Sequence, residues 1–343
     1  MSALLPNSSP AFRQPLLDLL WEQWSGLGVA GSAEPEIAGY IDIEALILIT
    51  TSQGRYDARL FDEMLDWLWS NGNCVNVQRL RNLRRRLSLG NPLVLGAVAE
   101  FLSRRAMHSK WKPLARDDSM GTQAGQEPLF LRDGGHVPLV FGDADPVFLR
   151  WGFSRGPYQL RHLSRAPNPL PAANLPYKLR ALFGVQARCE VLLWLLANKN
   201  GRPSDIARAM CYFPKTIEDT LKELTASGLV REARSGRERH YGIDPNDWGF
   251  LRTWKKPEGF PEWIDWGRRF AAVERIFAVL SQRDLSEMLL ASELRRVMEE
   301  LQPVLAEGKL LPAFAASREH TGIKFTEALT EDLRRLLERP PLP

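Results

Sequence analysis

The sequence predicts a mainly α-helical protein of more than one domain, and three observations carry that expectation. Apolar residues recur at three- and four-residue intervals over Pro15 to Met107 and again over Trp263 to Arg339, the spacing of helices that bury one face. Between them, Pro167, Pro169, Pro171 and Pro176 interrupt any helix and mark a boundary. Beyond that boundary comes an ordered series of helix, helix, turn, helix and two strands.

Composition agrees with a folded chain. Hydrophobic residues make up 44% and charged residues 25% of 343 residues, enough apolar side chain for real cores and enough length for two or three domains. Apolar runs such as Ala45 to Thr50 and Val191 to Ala197 fall far short of the roughly 20 residues of a membrane span. Met1 to Pro10 has no basic stretch followed by an apolar core, so a cytoplasmic protein is the expectation. Cys74, Cys189 and Cys211 are odd in number and widely spaced, which fits reduced thiols rather than disulfides or zinc ligands. The net charge is only +4, so a nucleic-acid footprint has to come from local clustering.

Residues 1–110 read as an N-terminal helical domain. Leu16, Leu17, Leu19 and Leu20 open it, and Asp42 caps a helix over Ile43 to Thr50. Asn71-Gly72-Asn73 closes a helix over Asp57 to Ser70, Val77 to Leu87 forms another, and Pro92 suits the first turn of a helix over Leu93 to Met107. Residues 111–179 read as a strand-containing connector and proline-rich linker. Within it, Leu129 to Arg132 and His136 to Phe141 flank the turn Asp133-Gly134-Gly135 as a hairpin. Residues 257–343 read as a C-terminal helical domain in which Phe270, Val273, Ile276, Phe277 and Leu280 share one face, with Arg268, Arg269 and Arg275 solvated.

The unit at 180–250 carries the functional expectation. Arg188 to Leu196 is an apolar helix, and Asp205 to Met210 is a short one with Ile206, Ala207 and Met210 turned inward. Cys211-Tyr212-Phe213-Pro214 has the length of a turn between two packed helices. The next helix buries Ile217, Leu221 and Leu224, shows Lys215, Thr216, Glu218, Asp219 and Lys222 outward, and stops at Gly228 in the left-handed region. Leu229 to Arg234 and Glu238 to Ile243 then form a hairpin around Ser235-Gly236-Arg237.

That order, with "ASGLV" joining helix to hairpin and "GRERHYGI" ending it, resembles the winged helix-turn-helix regulators of the MarR and ArsR type over residues 180–244, about 65 of 343. The resemblance implies a transcriptional regulator that binds duplex DNA, with the third helix in the major groove and the wing on phosphates. By position it assigns DNA contacts to Lys215, Thr216 and Lys222 and to Arg234, Arg237 and Arg239, with His240 beside them in the wing. From Arg180 to Tyr241 there are eleven Lys or Arg against seven Asp or Glu, with arginines concentrated in the wing. Glu218 and Asp219 oppose this, because carboxylates on a reader helix repel phosphate.

A second nucleic-acid contact is expected at Arg79, Arg81, Arg84, Arg85 and Arg86, the densest basic run. There Asp57 to Ser70, a turn, and Val77 to Leu87 have the order of another helix-turn-helix. The alternative is a solvated helix face. Neither the five histidines nor the glycine-rich pieces match a metal, phosphate-loop or nucleophile-elbow pattern, so no enzyme, metal or cofactor is expected. The partners expected are duplex DNA and a second copy in a homodimer. The alternative is a docking module for a protein partner in a bacterial defence or toxin-antitoxin assembly.

Overall fold

Polar caps and apolar stripes set the N-terminal helices of the computed structural model, which describes residues 8–29, 37, 39–116, 126–132, 143–236, 238–255, 258–282 and 285–337. Helix α1 (Ser8–Gly26) buries Leu16, Leu20 and Trp24. Asp42 accepts a hydrogen bond from the Ala45 amide to start α2 (Ile43–Gln53). Every residue of α2 except Ser52 is buried, which makes this β-branched run the central rod of the fold rather than a strand. Asp57 caps α3 (Ala58–Asn71), Asn76 caps α4 (Val77–Leu87), and Asn91 caps α5 (Pro92–Ser103) with Pro92 in its first turn. Helix α5 ends four residues before the expected Met107, where Arg105 and His108 leave the helix to bond the Trp69 carbonyl at the end of α3.

In the connector, β1 (Glu127–Pro128) pairs in parallel with β2 (Phe153–Ser154), on either side of the short α6 (Pro146–Arg150). The expected hairpin around Asp133-Gly134-Gly135 lies outside the described residues. The proline-rich linker is anchored rather than free: the Arg165 amide bonds the Gly28 carbonyl, and the Ile41 amide bonds the Ala173 carbonyl. Helix α7 (Leu175–Phe183) starts inside the expected linker, with Pro176 in its first turn, where proline costs no hydrogen bond.

Next come α8 (Ala187–Asn198), β3 (Asn200–Gly201), α9 (Pro203–Ala209), α10 (Pro214–Thr225), β4 (Arg231–Ser235) and β5 (Glu238–Gly242). The three strands form one antiparallel sheet in the order β3-β5-β4, with Gly201 opposite Tyr241 and Glu232 also opposite Tyr241. Strand β3 has no counterpart in the sequence reading. The chain closes with α11 (Trp266–Leu280), α12 (Glu287–Glu307), α13 (Ala315–Arg318) and α14 (Gly322–Leu337).

Among the described residues two hydrophobic cores result. One gathers α8, α9, α10, the sheet, Leu175 and Leu179 of α7, and Tyr40 from the segment before α2. The other runs from Leu16 to Leu337 and joins the N-terminal and C-terminal helices, so the segments expected as separate domains at 1–110 and 257–343 close a single core. The stripe of Phe270, Val273, Ile276 and Phe277 on α11 is buried there, and Gly267 leaves room for Leu83 and Leu87 of α4. Arg268, expected in solvent, is 3% exposed and pairs with Asp265 and Glu307. No helix among the described residues is long and apolar enough to cross a membrane.

Candidate nucleic-acid interface

Helix α10 buries Ile217, Thr220, Leu221 and Leu224 and exposes Lys215, Thr216, Glu218, Asp219, Lys222 and Glu223. Its two lysines share one carboxylate: Lys215 Nζ is 2.7 Å and Lys222 Nζ 4.0 Å from Asp219 Oδ1. Glu223 pairs with Arg188 of α8 at 2.9 Å. Such exposed pairs are screened by solvent and hold the two lysines only weakly. Gly228 ends the segment at φ +77°, a backbone that residues with a Cβ rarely adopt.

One hairpin strand, β5, is anchored in the smaller core by Tyr241, and β4 is the edge strand. Arg231, Glu232, Ala233 and Arg234 are all exposed, so both faces of β4 meet solvent. Glu232 organises the hairpin's cations: its carboxylate lies 3.4 Å from Arg234 Nε and 3.7 Å from Arg239 Nε and accepts a hydrogen bond from the Tyr241 hydroxyl at 3.1 Å. Partial desolvation pushes the Glu232 carboxyl upward, but the Tyr241 hydrogen bond and the two arginines hold it below its ordinary value. His240 Nε2 lies 3.6 Å from Glu238. Arg237 lies outside the described residues. Arg231, absent from the sequence-derived set, is an exposed cation on the same strand, 3.5 Å from Asp247.

The basic run on α4 divides in two. Arg79 is 3% exposed, with its guanidinium bound to Asp42 by two contacts of 2.6 Å and to Glu44 at 2.8 Å; it is a core residue and not a nucleic-acid contact. Arg81 and Arg84 are half-buried, whereas Arg85 and Arg86 are exposed. Arg86 donates to the Tyr212 carbonyl at 2.9 Å and lies 5.6 Å over the ring of Phe213, the residue before α10. Two basic regions that the sequence holds 126 residues apart at Arg86 and Tyr212 are therefore neighbours in space. Phe213, 63% exposed at the start of α10, joins them and escaped the sequence reading; a large aromatic before a helix-opening proline was its only signal. Helices α3 and α4 do follow each other across a turn, but α5 comes next instead of strands.

A buried network fixes α10 against the larger core. Arg180 of α7 donates to both oxygens of Glu44 at 2.8 Å and to Glu190 of α8 at 2.7 Å. Glu190 accepts from the Tyr212 hydroxyl at 3.2 Å, and Asn76 donates to the same hydroxyl at 2.6 Å. Burial opposes ionisation of Asp42 and Glu44, yet Arg79 for the first and Arg180 with Arg79 for the second hold both carboxyls below their usual range. Desolvation raises the Tyr212 phenol well above its ordinary value, so it remains a hydrogen-bond donor. Cys211 packs into the larger core, which clamps the turn between α9 and α10 from below.

Among the described residues no three His, Cys, Asp or Glu side chains gather as a metal site. The chain matches no protein-family model, no curated protein and no solved structure.

Proposed function

We propose that residues 187–243 form a winged helix that binds duplex DNA and that the chain regulates transcription through it. One observation carries the reading: helix, strand, helix, helix and a two-stranded hairpin, with sheet order β3-β5-β4, leave the outer face of α10 and both faces of β4 exposed. In this reading α10 enters the major groove with Lys215 and Thr216 leading, and Arg231, Arg234 and Arg239 of the hairpin hold phosphates. Arg85 and Arg86 of α4 extend the same footprint past Phe213, which supplies an aromatic edge between the two cationic surfaces. Binding is then mostly electrostatic and releases counterions, so it weakens as salt rises.

The test is direct titration of the whole protein into a random duplex of about 25 base pairs at about 50 and 200 mM salt. Binding at low salt that falls at least tenfold at high salt is the expected result. No binding at low salt overturns the reading. The outward carboxylates Glu218, Asp219 and Glu223 favour one second reading, in which α10 docks a basic protein surface, and that reading predicts no duplex binding under either condition.

A further inference from the structure

Strand β4 is the outer strand of its sheet, and the backbone groups on its open edge can be read from the hydrogen bonds around it. The Ile243 amide bonds the Lys199 carbonyl, so Ile243 and, two residues earlier, Tyr241 turn their backbone groups toward β3. Gly242, His240 and Glu238 therefore turn theirs toward β4, where they stand opposite Arg231, Ala233 and Ser235. Glu232 and Arg234, the residues between, point their amides and carbonyls away from β5 to the open edge. No described residue bonds those four groups.

Open edges of this kind are commonly guarded by proline, by a bulge or by like charges. Strand β4 has no proline and no bulge, since all five of its residues pair with β5 in unbroken register. Its charges are of both signs, and their order is self-complementary. When Arg231-Glu232-Ala233-Arg234-Ser235 is laid antiparallel against itself with Ala233 on a two-fold axis, Glu232 stands opposite Arg234 of the second copy, and Arg234 opposite Glu232 of that copy.

The backbone agrees with that register. Glu232 and Arg234 are the residues with free edge groups, so each of the two cross-axis pairs exchanges two hydrogen bonds. Ala233 meets Ala233 on the axis, where two small side chains let the strands approach. An axis at Glu232 or at Arg234 would instead set like charges directly opposite each other, which is unfavourable. Glu232 already lies 3.4 Å from Arg234 of its own strand, so in the pair two carboxylates and two guanidiniums alternate in sign around the axis.

We propose that β4 pairs antiparallel with β4 of a second copy of this chain, centred on Ala233, and joins the two sheets into one of six strands. Five residues a side bury far less than the roughly 800 Å2 per partner of a standard interface, so the pair is weak and reversible. It needs no duplex and goes beyond the reading of the hairpin as a phosphate clamp. A phosphate and Glu232 of the second copy compete for Arg234, so the joined sheet is the form free of DNA.

The experiment uses the whole chain without DNA. Sedimentation equilibrium between about 5 and 500 μM shows monomer passing to dimer as concentration rises. Glu232→Arg sets arginine against arginine across the axis and abolishes the dimer; adding Arg234→Glu to it restores opposite charges and restores the dimer. Both side chains are exposed, so the variants fold. Disulfide trapping fixes the register, because Cys74, Cys189 and Cys211 are buried and an introduced thiol on β4 is not. Under air oxidation Ala233→Cys gives covalent dimer at least about tenfold faster than Arg231→Cys, whose two copies lie on opposite sides of the axis, farther apart than a disulfide spans. A chain that stays monomeric at every concentration, a double variant that stays monomeric, or equal trapping at the two positions overturns the proposal. None of these outcomes bears on duplex binding, which the salt titration measures by itself.

Discussion

Arg180 and Glu44 meet across the boundary between the two cores in a bidentate ion pair, Nη1 to Oε1 and Nη2 to Oε2, both at 2.8 Å. They stand 136 residues apart in the chain, and the pair locks the helix leading into the α8–α10 unit onto the central rod α2. The orientation of the candidate reader depends on that lock, because Glu190 accepts from the same arginine and the Tyr212 hydroxyl donates to Glu190.

Arg180→Met should leave Glu44 and Glu190 buried without their shared guanidinium. Removing one member of a buried pair costs about 3–5 kcal/mol. Thermal melting should show a large drop, and limited proteolysis should cut first on either side of α8 to α10. A melting temperature within a degree of the wild type would contradict the network's role.

The same network gives stability a pH dependence of known sign. Asp42 and Glu44 have folded-state values below their unfolded ones, because Arg79 and Arg180 outweigh the burial that pushes them up. Their contribution is therefore complete above the ordinary carboxylate range of about 3.9 to 4.3 and is lost as pH falls below it. Glu274 and Asp265 are raised by burial, so their protonation on moderate acidification works the other way and stabilises. Denaturant melts should show stability held or slightly increased from neutral pH to about pH 5, then a steep loss below about pH 4. In Glu44→Gln the steep loss should shrink; an unchanged profile would remove the network from the explanation.

Charge neutralisation on α10 should report which surface meets phosphate. Neutralising Glu218→Gln and Asp219→Asn together removes two carboxylates from the outer face and frees Lys215 and Lys222. Affinity for a duplex should rise about three- to tenfold at low salt, with the gain shrinking as salt is added. The melting temperature should stay nearly unchanged, since the pairs are exposed and screened. Equal affinity in the variant and the wild type would place the DNA elsewhere.

Gly201→Ala should weaken the hairpin from beneath. A Cβ at Gly201 would collide with the rigid indole of Trp194, and β3 would have to move away from β5. Overpacking of this kind costs about 1–3 kcal/mol. Loss of amide protection at Tyr241 and Gly242 in hydrogen exchange would register the separation; unchanged protection would show that the sheet tolerates the methyl group.

The parts legible in the sequence were those set by local rules. The inner face of α10 follows from the spacing of Ile217, Leu221 and Leu224, the left-handed turn beyond it from Gly228, the cap of α2 from Asp42 and the first turn of α5 from Pro92. Strand β3 was not legible, because two residues have no periodicity and their pairing is set by β5, 40 residues later. A periodic face says that α11 is buried but not against what, which is why its packing on α2 and α4 came only from the structure. Arg79 shows the same limit inside one motif. It lies four residues from Leu83, on the inner side of α4, yet what makes burial tolerable, Asp42 and Glu44, is more than 30 positions away.

The central claim is that the hairpin and α10 hold duplex DNA, and the salt dependence of affinity tests it most directly. The logarithm of the binding constant should fall linearly with the logarithm of salt concentration, losing about 0.9 in slope for each phosphate neutralised. Arg234→Ala with Arg239→Ala should lower that slope by about 2 while leaving the melting temperature nearly unchanged. A wild-type slope near zero, or the same slope in the double variant, would contradict the account.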